Sequence, residues 1–273
     1  MFGGIEAGGT KFVCAIGTEP GNIVQEVRFP TTTPAETLAR AIDFFRSHDA
    51  IQALGIASFG PIDLHPSSAH YGYITSTPKL NWRDADIVGP LKAALSVPVG
   101  FDTDVNAAAL AEATWGAGRG LDSLLYLTIG TGIGAGATID GQLIHGMLHP
   151  EMGHILLPHD RQRDPFDGVC PYHGNCFEGL ASGPAIQART GSPADALPED
   201  HPVWDLEAYY IAAALMTFVS TLSPQRIVLG GGVMQQMHLF PRIRRQLRKL
   251  LNAYIQTSQI IDGIDEYIVP PAL

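Results

Sequence analysis

Cysteine is nearly absent. Three in 273 residues are too few for a disulfide framework. Charged residues make up 16%, below the usual quarter. Basic ones are the scarcer kind, 17 against 27 acidic, for a net charge of -10. A nucleic-acid backbone needs a basic face, so nucleic acid is excluded as the main partner. No apolar run approaches a membrane span. Met1 is followed directly by "FGGIEAGG", with neither the basic start nor the apolar stretch of a signal peptide. The expectation is a cytoplasmic protein with no membrane contact. The one basic run, "RIRRQLRK" (242–249), carries Ile243, Leu247, Leu250 and Leu251 at helical spacing. It reads as a helix with a solvated basic face.

Glycine is plentiful, at 30 residues, and 45% of the chain is hydrophobic. That is a globular composition, long enough for one large domain or two ordinary ones. The N-terminus reads as three strands, "FGGIEA", "KFVCAIG" and "IVQEVRF", with Gly8-Gly9 turning between the first two. A helix follows, in which Thr33 and Glu36 fit a capping box, Pro34 takes the first helical position, and Leu38, Ile42 and Phe45 form a stripe. "IQALGIASFG" and "VPVGFD" read as strands, and "DVNAAALAEATWG" as a helix. Then the opening pattern recurs. "SLLYLTIG" is a strand, "TGIGAG" a glycine turn, "ATID" a strand, Asp140-Gly141 a hairpin turn, and "QLIHG" a third strand. A long helix (205–224), the strand "RIVLGGG" and the basic helix complete the second half. Gly8 and Gly130 occupy matching places, so the chain reads as an internal duplication. Two similar lobes, 1–115 and 116–273, would flank a cleft.

Glycine hairpins turn backbone N–H groups toward one point and let an anion approach closely. Gly8, Gly9 and Thr10 form one such hairpin; Gly130, Thr131 and Gly132 form another. Two at duplicated places suggest a clamp on a polyphosphate. Gly230, Gly231 and Gly232, after a buried strand, suit the base or ribose of a nucleotide. Lys11 offers a charge beside the first hairpin. No Walker-type G-x-x-x-x-G-K-[ST] exists. "GIGAGA" (132–137) matches a dinucleotide fingerprint in letters only, because a strand follows where a helix is needed.

Asp104 follows a strand and opens a helix. Locally it fits an N-cap or a general base at a strand end in a cleft. Asp102 is a second candidate, and Asn106 an orienting neighbour. Cys170, His173 and Cys176 stand three apart in "CPYHGNC". In a chain so poor in cysteine, that spacing supplies three of the four ligands of a structural zinc. His154 is the leading fourth, with His159, His149 and His145 as alternatives. Cys14, alternating in a strand, reads as a small core residue.

"IEAGGTK", "DVNAAALAE", "LTIGTGIGAG", "HPEMGH", "CFEGLASGPA" and "IVLGGGVM" occur in the order found in the ROK family of sugar kinases. The chain resembles that family over nearly its whole length. "GGIEAGGTKF", "STPK" and the spacing of "CPYHGNC" are most similar to its bacterial fructokinase branch. The resemblance implies an α/β fold of two ribonuclease-H-like lobes of the actin/hexokinase type, with ATP and sugar in the interdomain cleft. It implies ATP-dependent phosphorylation of a hexose, D-fructose to fructose 6-phosphate, by a homodimer. It places the base at Asp104, sugar contacts at Thr103, Asp104, Glu151, His154 and Glu178, a phosphate contact at Gly183, and Mg²⁺ at Glu6 through water.

Several positions depart from the family. Thr103 stands where an asparagine is usual, which argues against glucose. Glu6 replaces aspartate, and His173 breaks the common C-x-C-x4-C pattern. The family continues with a Gly/Ala-rich helix beyond "IVPPAL", where this sequence ends. Glucose, mannose and N-acetylmannosamine are the alternative sugars. A non-catalytic or DNA-binding sugar-responsive regulator is the alternative class. An N-terminal DNA-binding domain finds no room before residue 2, and the acidic balance opposes it.

Overall fold

Buried and more exposed residues alternate along the first two strand segments, while the third is mostly exposed. These segments form β1 (Phe2–Ala7), β2 (Lys11–Glu19) and β3 (Asn22–Pro30) in the computed structural model, which describes residues 1–48 and 51–273. Thr33 caps α1 (Pro34–Arg46), its side chain accepting from Glu36 N, and Leu38, Ala41 and Phe45 are buried along it. β4 (Leu54–Ser58) follows. A two-stranded ribbon of β5 (Tyr73–Ile74) and β6 (Ala85–Asp86), then α2 (Val88–Leu95), lead to β7 (Val99–Thr103). The sheet order is β3-β2-β1-β4-β7. β1, β2 and β3 pair antiparallel, while β1, β4 and β7 run parallel.

The same order is built again. β8 (Leu124–Ile129), β9 (Ile133–Ile139) and β10 (Gln142–Leu143) pair antiparallel. β11 (Arg226–Gly230) and β12 (Ile268–Val269) add in parallel. The order is β10-β9-β8-β11-β12. The chain divides into two compact units, 1–108 with 145–150, and 109–144 with 151–273. The division falls within α3 (Asp104–Thr114).

Each unit has its own core. Phe12, Leu54, Leu91 and Trp82 anchor the first. Leu125, Leu127, Ile129, Ile227 and Leu229 anchor the second, against Trp204, Tyr210, Leu215 and Phe218 of α6 (Val203–Leu222). Each such side chain contributes roughly 1.5–3 kcal/mol by leaving water. Cys14 is fully buried in the first core, and that burial pushes its thiol up to about 12. Among the described residues no helix is long and apolar enough to cross a membrane.

Three expectations need correction. The glycine turn of the second half is shorter than expected, because β9 already starts at Ile133. Ile133, Ala135 and Ala137 alternate inward there, so Gly134 and Gly136 lie within the strand. "QLIHG" yields only the two residues of β10; beyond it, His145 belongs to the first unit. The basic run is indeed helical, in α7 (Leu239–Leu251), but its arginines are not simply solvated. Arg242 pairs with Asp205 at 2.6 Å. Arg244 Nε donates to Ile268 O at 3.1 Å, and Arg248 Nε to Ile260 O at 2.9 Å. Those carbonyls end α8 (Ser258–Ile261) and α9 (Ile264–Tyr267), where helices leave acceptors without partners.

Candidate active site

β1, β4 and β7 run parallel and end together, where ligands of open α/β sheets bind. Glu6, Ala57 and Asp102 are in register, as are Ala7, Ser58 and Thr103. Glu6 and Asp102 therefore share one face of the sheet. Thr103 is 3% exposed, and its Oγ1 accepts from Asn106 N at 3.1 Å. The cap of α3 is thus Thr103, and Asp104 occupies the first helical turn. Its Oδ1 accepts the adjacent Val105 N–H, at 2.9 Å. Asp104 keeps exposed surface, yet the surrounding protein displaces enough water to raise its carboxyl above the ordinary aspartate range. The Glu6 charge acts in the same direction, and the Val105 N–H opposes.

Asp102 serves the junction. It accepts from Thr103 N at 2.8 Å and Asn106 Nδ2 at 2.7 Å, and it pairs with His145 Nε2 at 2.8 Å. His149 accepts from Ile62 N through Nε2 at 3.1 Å. That bond requires a bare ring nitrogen, and burial lowers the pKa of this histidine accordingly.

The first hairpin has its carbonyls occupied. Gly8 O accepts from Thr31 Oγ1 at 2.6 Å and Thr10 O from Thr31 N at 2.9 Å. Gly9 O accepts from Lys79 Nζ, which also reaches Thr31 O at 3.2 Å. Gly8 N donates to Lys11 O at 3.0 Å. A side chain at Gly8 would bring its Cβ to 2.7 Å from that oxygen, so the turn closes only with glycine. The N–H groups of Gly9 and Thr10 find no acceptor among the described residues. Lys11 is exposed at the start of β2.

In the second unit, Gly130 N donates to Gly132 O at 2.9 Å, and Gly183 N to Gly130 O at 2.8 Å. Gly183 thus holds the hairpin with its own N–H, at the start of α5 (Gly183–Thr190). Glu178, in α4 (Phe177–Ala181), takes Ile133 N on Oε2 at 2.9 Å. Thr131 is exposed at the tip. Gly231 has φ +91°, and a Cβ there would lie 2.4 Å from Ile129 O. The turn 230–232 thereby packs beside the hairpin, with Gly232 next to Gly130.

His154, Cys170, His173 and Cys176 converge, with one ligand atom of each within 4.8 Å of the others. Cys170 Sγ stands 3.7 Å from both His154 Nδ1 and His173 Nδ1; Cys176 Sγ stands 3.6 Å from His154 Nδ1. A tetrahedral zinc with Zn–S ~2.3 Å and Zn–N ~2.1 Å has S···N edges of about 3.6 Å. The donor set therefore fits zinc. Burial, with Cys170 alongside, pushes the Cys176 thiol up to about 11, a cost that a bound cation reverses. The other candidate histidines are engaged elsewhere: His145 and His149 as above, His159 with Asp164 O at 2.9 Å. Glu151 is exposed, and its carbonyl accepts from His154 N at 3.0 Å.

The ROK family profile matches residues 2–264. The chain belongs to the ROK family. A Bacillus subtilis (strain 168) ROK relative is 53% identical over 273 residues, covering 100% of this chain and 91% of its own. A fructokinase of Lactococcus lactis subsp. cremoris is 46% identical over 272 residues, again 100% of this chain and 91% of its own. The solved ROK family glucokinase of Streptomyces griseus, in complex with glucose and AMPPNP, is 25% identical, with a TM-score of 0.75 over 100% of this chain and 94% of its own. The fold is thus the two-lobed α/β type of the ROK sugar kinases.

The contacts of Lys79 and of the Asp102–His145 pair are not marked by any local pattern in the sequence. "STPK" was legible as a motif, but nothing along the chain connects residue 79 to residue 9. His145, by its type a possible metal ligand, is engaged by Asp102 instead.

Proposed function

We propose that this chain is an ATP-dependent fructokinase that transfers the γ-phosphoryl group to the 6-hydroxyl of D-fructose, with Asp104 as general base. One observation carries the role of Asp104. It is a carboxylate at the ends of parallel strands, released from helix capping by Thr103, and its desolvated surroundings hold its pKa above the ordinary aspartate range. A base so placed accepts the hydroxyl proton as the sugar oxygen attacks phosphorus. Full-length similarity to fructokinases supports fructose as the substrate.

The remaining roles divide between the units. Gly9 and Thr10 present N–H groups to the phosphates, Gly8 closes the turn through Lys11 O, and Lys11 is near. Thr131 and Gly132 do the same in the second unit, where Gly130 closes the turn and is held by Gly183, and Gly230–Gly232 lie under the nucleoside. Glu6, whose charge Asp104 feels, suits water-mediated Mg²⁺, which would neutralise phosphate charge when bound. Glu151, His154 and Glu178 bind sugar hydroxyls; a carboxylate accepts from two at once. Thr103, buried and capping, shapes the site without a carboxamide's reach, which disfavours glucose. A structural zinc on His154, Cys170, His173 and Cys176 would pin the segment bearing Glu151 and Glu178. A cytoplasmic homodimer is the expected form.

The test is a coupled assay of ADP release over a sugar panel. Fructose should show a higher kcat/KM than glucose, mannose or N-acetylmannosamine. Faster turnover of glucose would refute the substrate assignment.

A further inference from the structure

The first hairpin sorts its N–H and C=O groups to opposite sides, and the sorting has an identifiable agent. A trans peptide is planar, so the carbonyl of one residue and the N–H of the next point in opposite directions. Fixing Gly8 O therefore aims the Gly9 N–H, and fixing Gly9 O aims the Thr10 N–H. Thr31 Oγ1 does the first. Lys79 Nζ does the second and also holds Thr31 O. Lys79 thus grips the hairpin directly and through the residue that takes its other two carbonyls.

Its own position is firm. Lys79 O accepts from Trp82 N at 2.8 Å. Trp82 is wholly buried, and its Nε1 donates to Thr32 O at 2.8 Å. Lys79 is half-buried, which strengthens its bonds relative to water. An ammonium on Gly9 O also polarises that peptide, making the Thr10 N–H a stronger donor.

We propose that Lys79 is a positioning residue for the phosphate chain of the nucleotide: through the Gly9 carbonyl it aims the Thr10 N–H at the anion and places a positive charge behind the hairpin. The proposal rests on the hairpin's being a phosphate site. Lys11, the exposed lysine beside the turn, makes no such contact among the described residues.

The test uses the full chain with Mg²⁺. Calorimetric titration with inorganic tripolyphosphate reads phosphate affinity without turnover, and the KM for fructose reads the rest of the site. Lys79→Met should weaken tripolyphosphate binding about tenfold or more, the typical effect of losing a charged hydrogen bond. It should leave the fructose KM within about twofold if sugar and phosphate contacts are separate. Lys79→Arg, which keeps charge and donors, should regain most of the affinity. A folded Lys79→Met protein with unchanged tripolyphosphate affinity would overturn the proposal, as would equal losses toward tripolyphosphate and fructose. If Lys79→Met does not fold, Lys79→Gln is judged by the same criterion. A parent protein that ignores tripolyphosphate would refute the phosphate site itself, a different failure from an inert Lys79.

Discussion

At residues 8–10 every carbonyl of the glycine hairpin is held from behind by donors, Thr31 and the ammonium of Lys79. At residues 130–132 the supports are a backbone N–H from Gly183 on Gly130 O, and a carboxylate, Glu178, on the N–H of Ile133. The two hairpins stand at matching places in sheets of the same strand order, yet one is backed by a cation and the other by an anion. A carboxylate beside a phosphate is repulsive, so Glu178 is ill suited to bind phosphate and well suited to bind sugar hydroxyls. It also stands two residues after Cys176, which ties the second hairpin to the proposed metal site. On the proposed roles, a duplicated scaffold carries divided tasks: positive support in the first unit, and a link from the proposed metal site to sugar contact in the second.

The largest expected effect falls on the first unit. Asp104→Asn should lower kcat by on the order of 10²–10⁴-fold, the usual contribution of a general base. KM for Mg·ATP should change little, because the hairpin is intact. Thr103 caps α3, so the melting temperature should hold. In the parent enzyme, kcat/KM should fall toward acid through a pKa above the ordinary aspartate range, since the raised group must be ionised to act as a base. A folded Asp104→Asn protein with normal kcat would move the base elsewhere, Asp102 first.

Metal loss should strike the second unit. Purified protein should hold one zinc per chain, and Cys176→Ala should remove it. The melting temperature should then drop by about 10 °C. A metal-free parent protein with full activity and stability would contradict the zinc assignment. The smallest effect separates the two tasks of Glu178. Glu178→Gln keeps an acceptor for Ile133 N, so KM for Mg·ATP should stay within about twofold while KM for fructose rises about tenfold. Glu178→Ala should raise both. Equal changes in both variants would merge the tasks that the comparison separates.

Much of this was legible along the chain. Strand periodicity and repeated glycine turns revealed the duplicated sheets, and the Thr33–Glu36 box marked α1. The spacing of Cys170, His173 and Cys176 pointed to a metal, because those ligands are local. What escaped depends on contacts far apart in sequence. Lys79 meets Gly9 across 70 residues, and His145 meets Asp102 across 43. The short C-terminal helices escaped because arginines on α7 hold them, with no strong periodicity of their own. The helix cap stays open between neighbours in the sequence: aspartate and threonine both cap helices, and only the Thr103–Asn106 bond gives the cap to Thr103.

Phosphoryl transfer to the 6-hydroxyl is tested most directly by phosphorus NMR of the products formed from D-fructose and Mg·ATP. The account predicts one fructose 6-phosphate for each ADP, with no excess of inorganic phosphate. Phosphate on the 1-hydroxyl, or ADP with inorganic phosphate and no sugar phosphate, would contradict it.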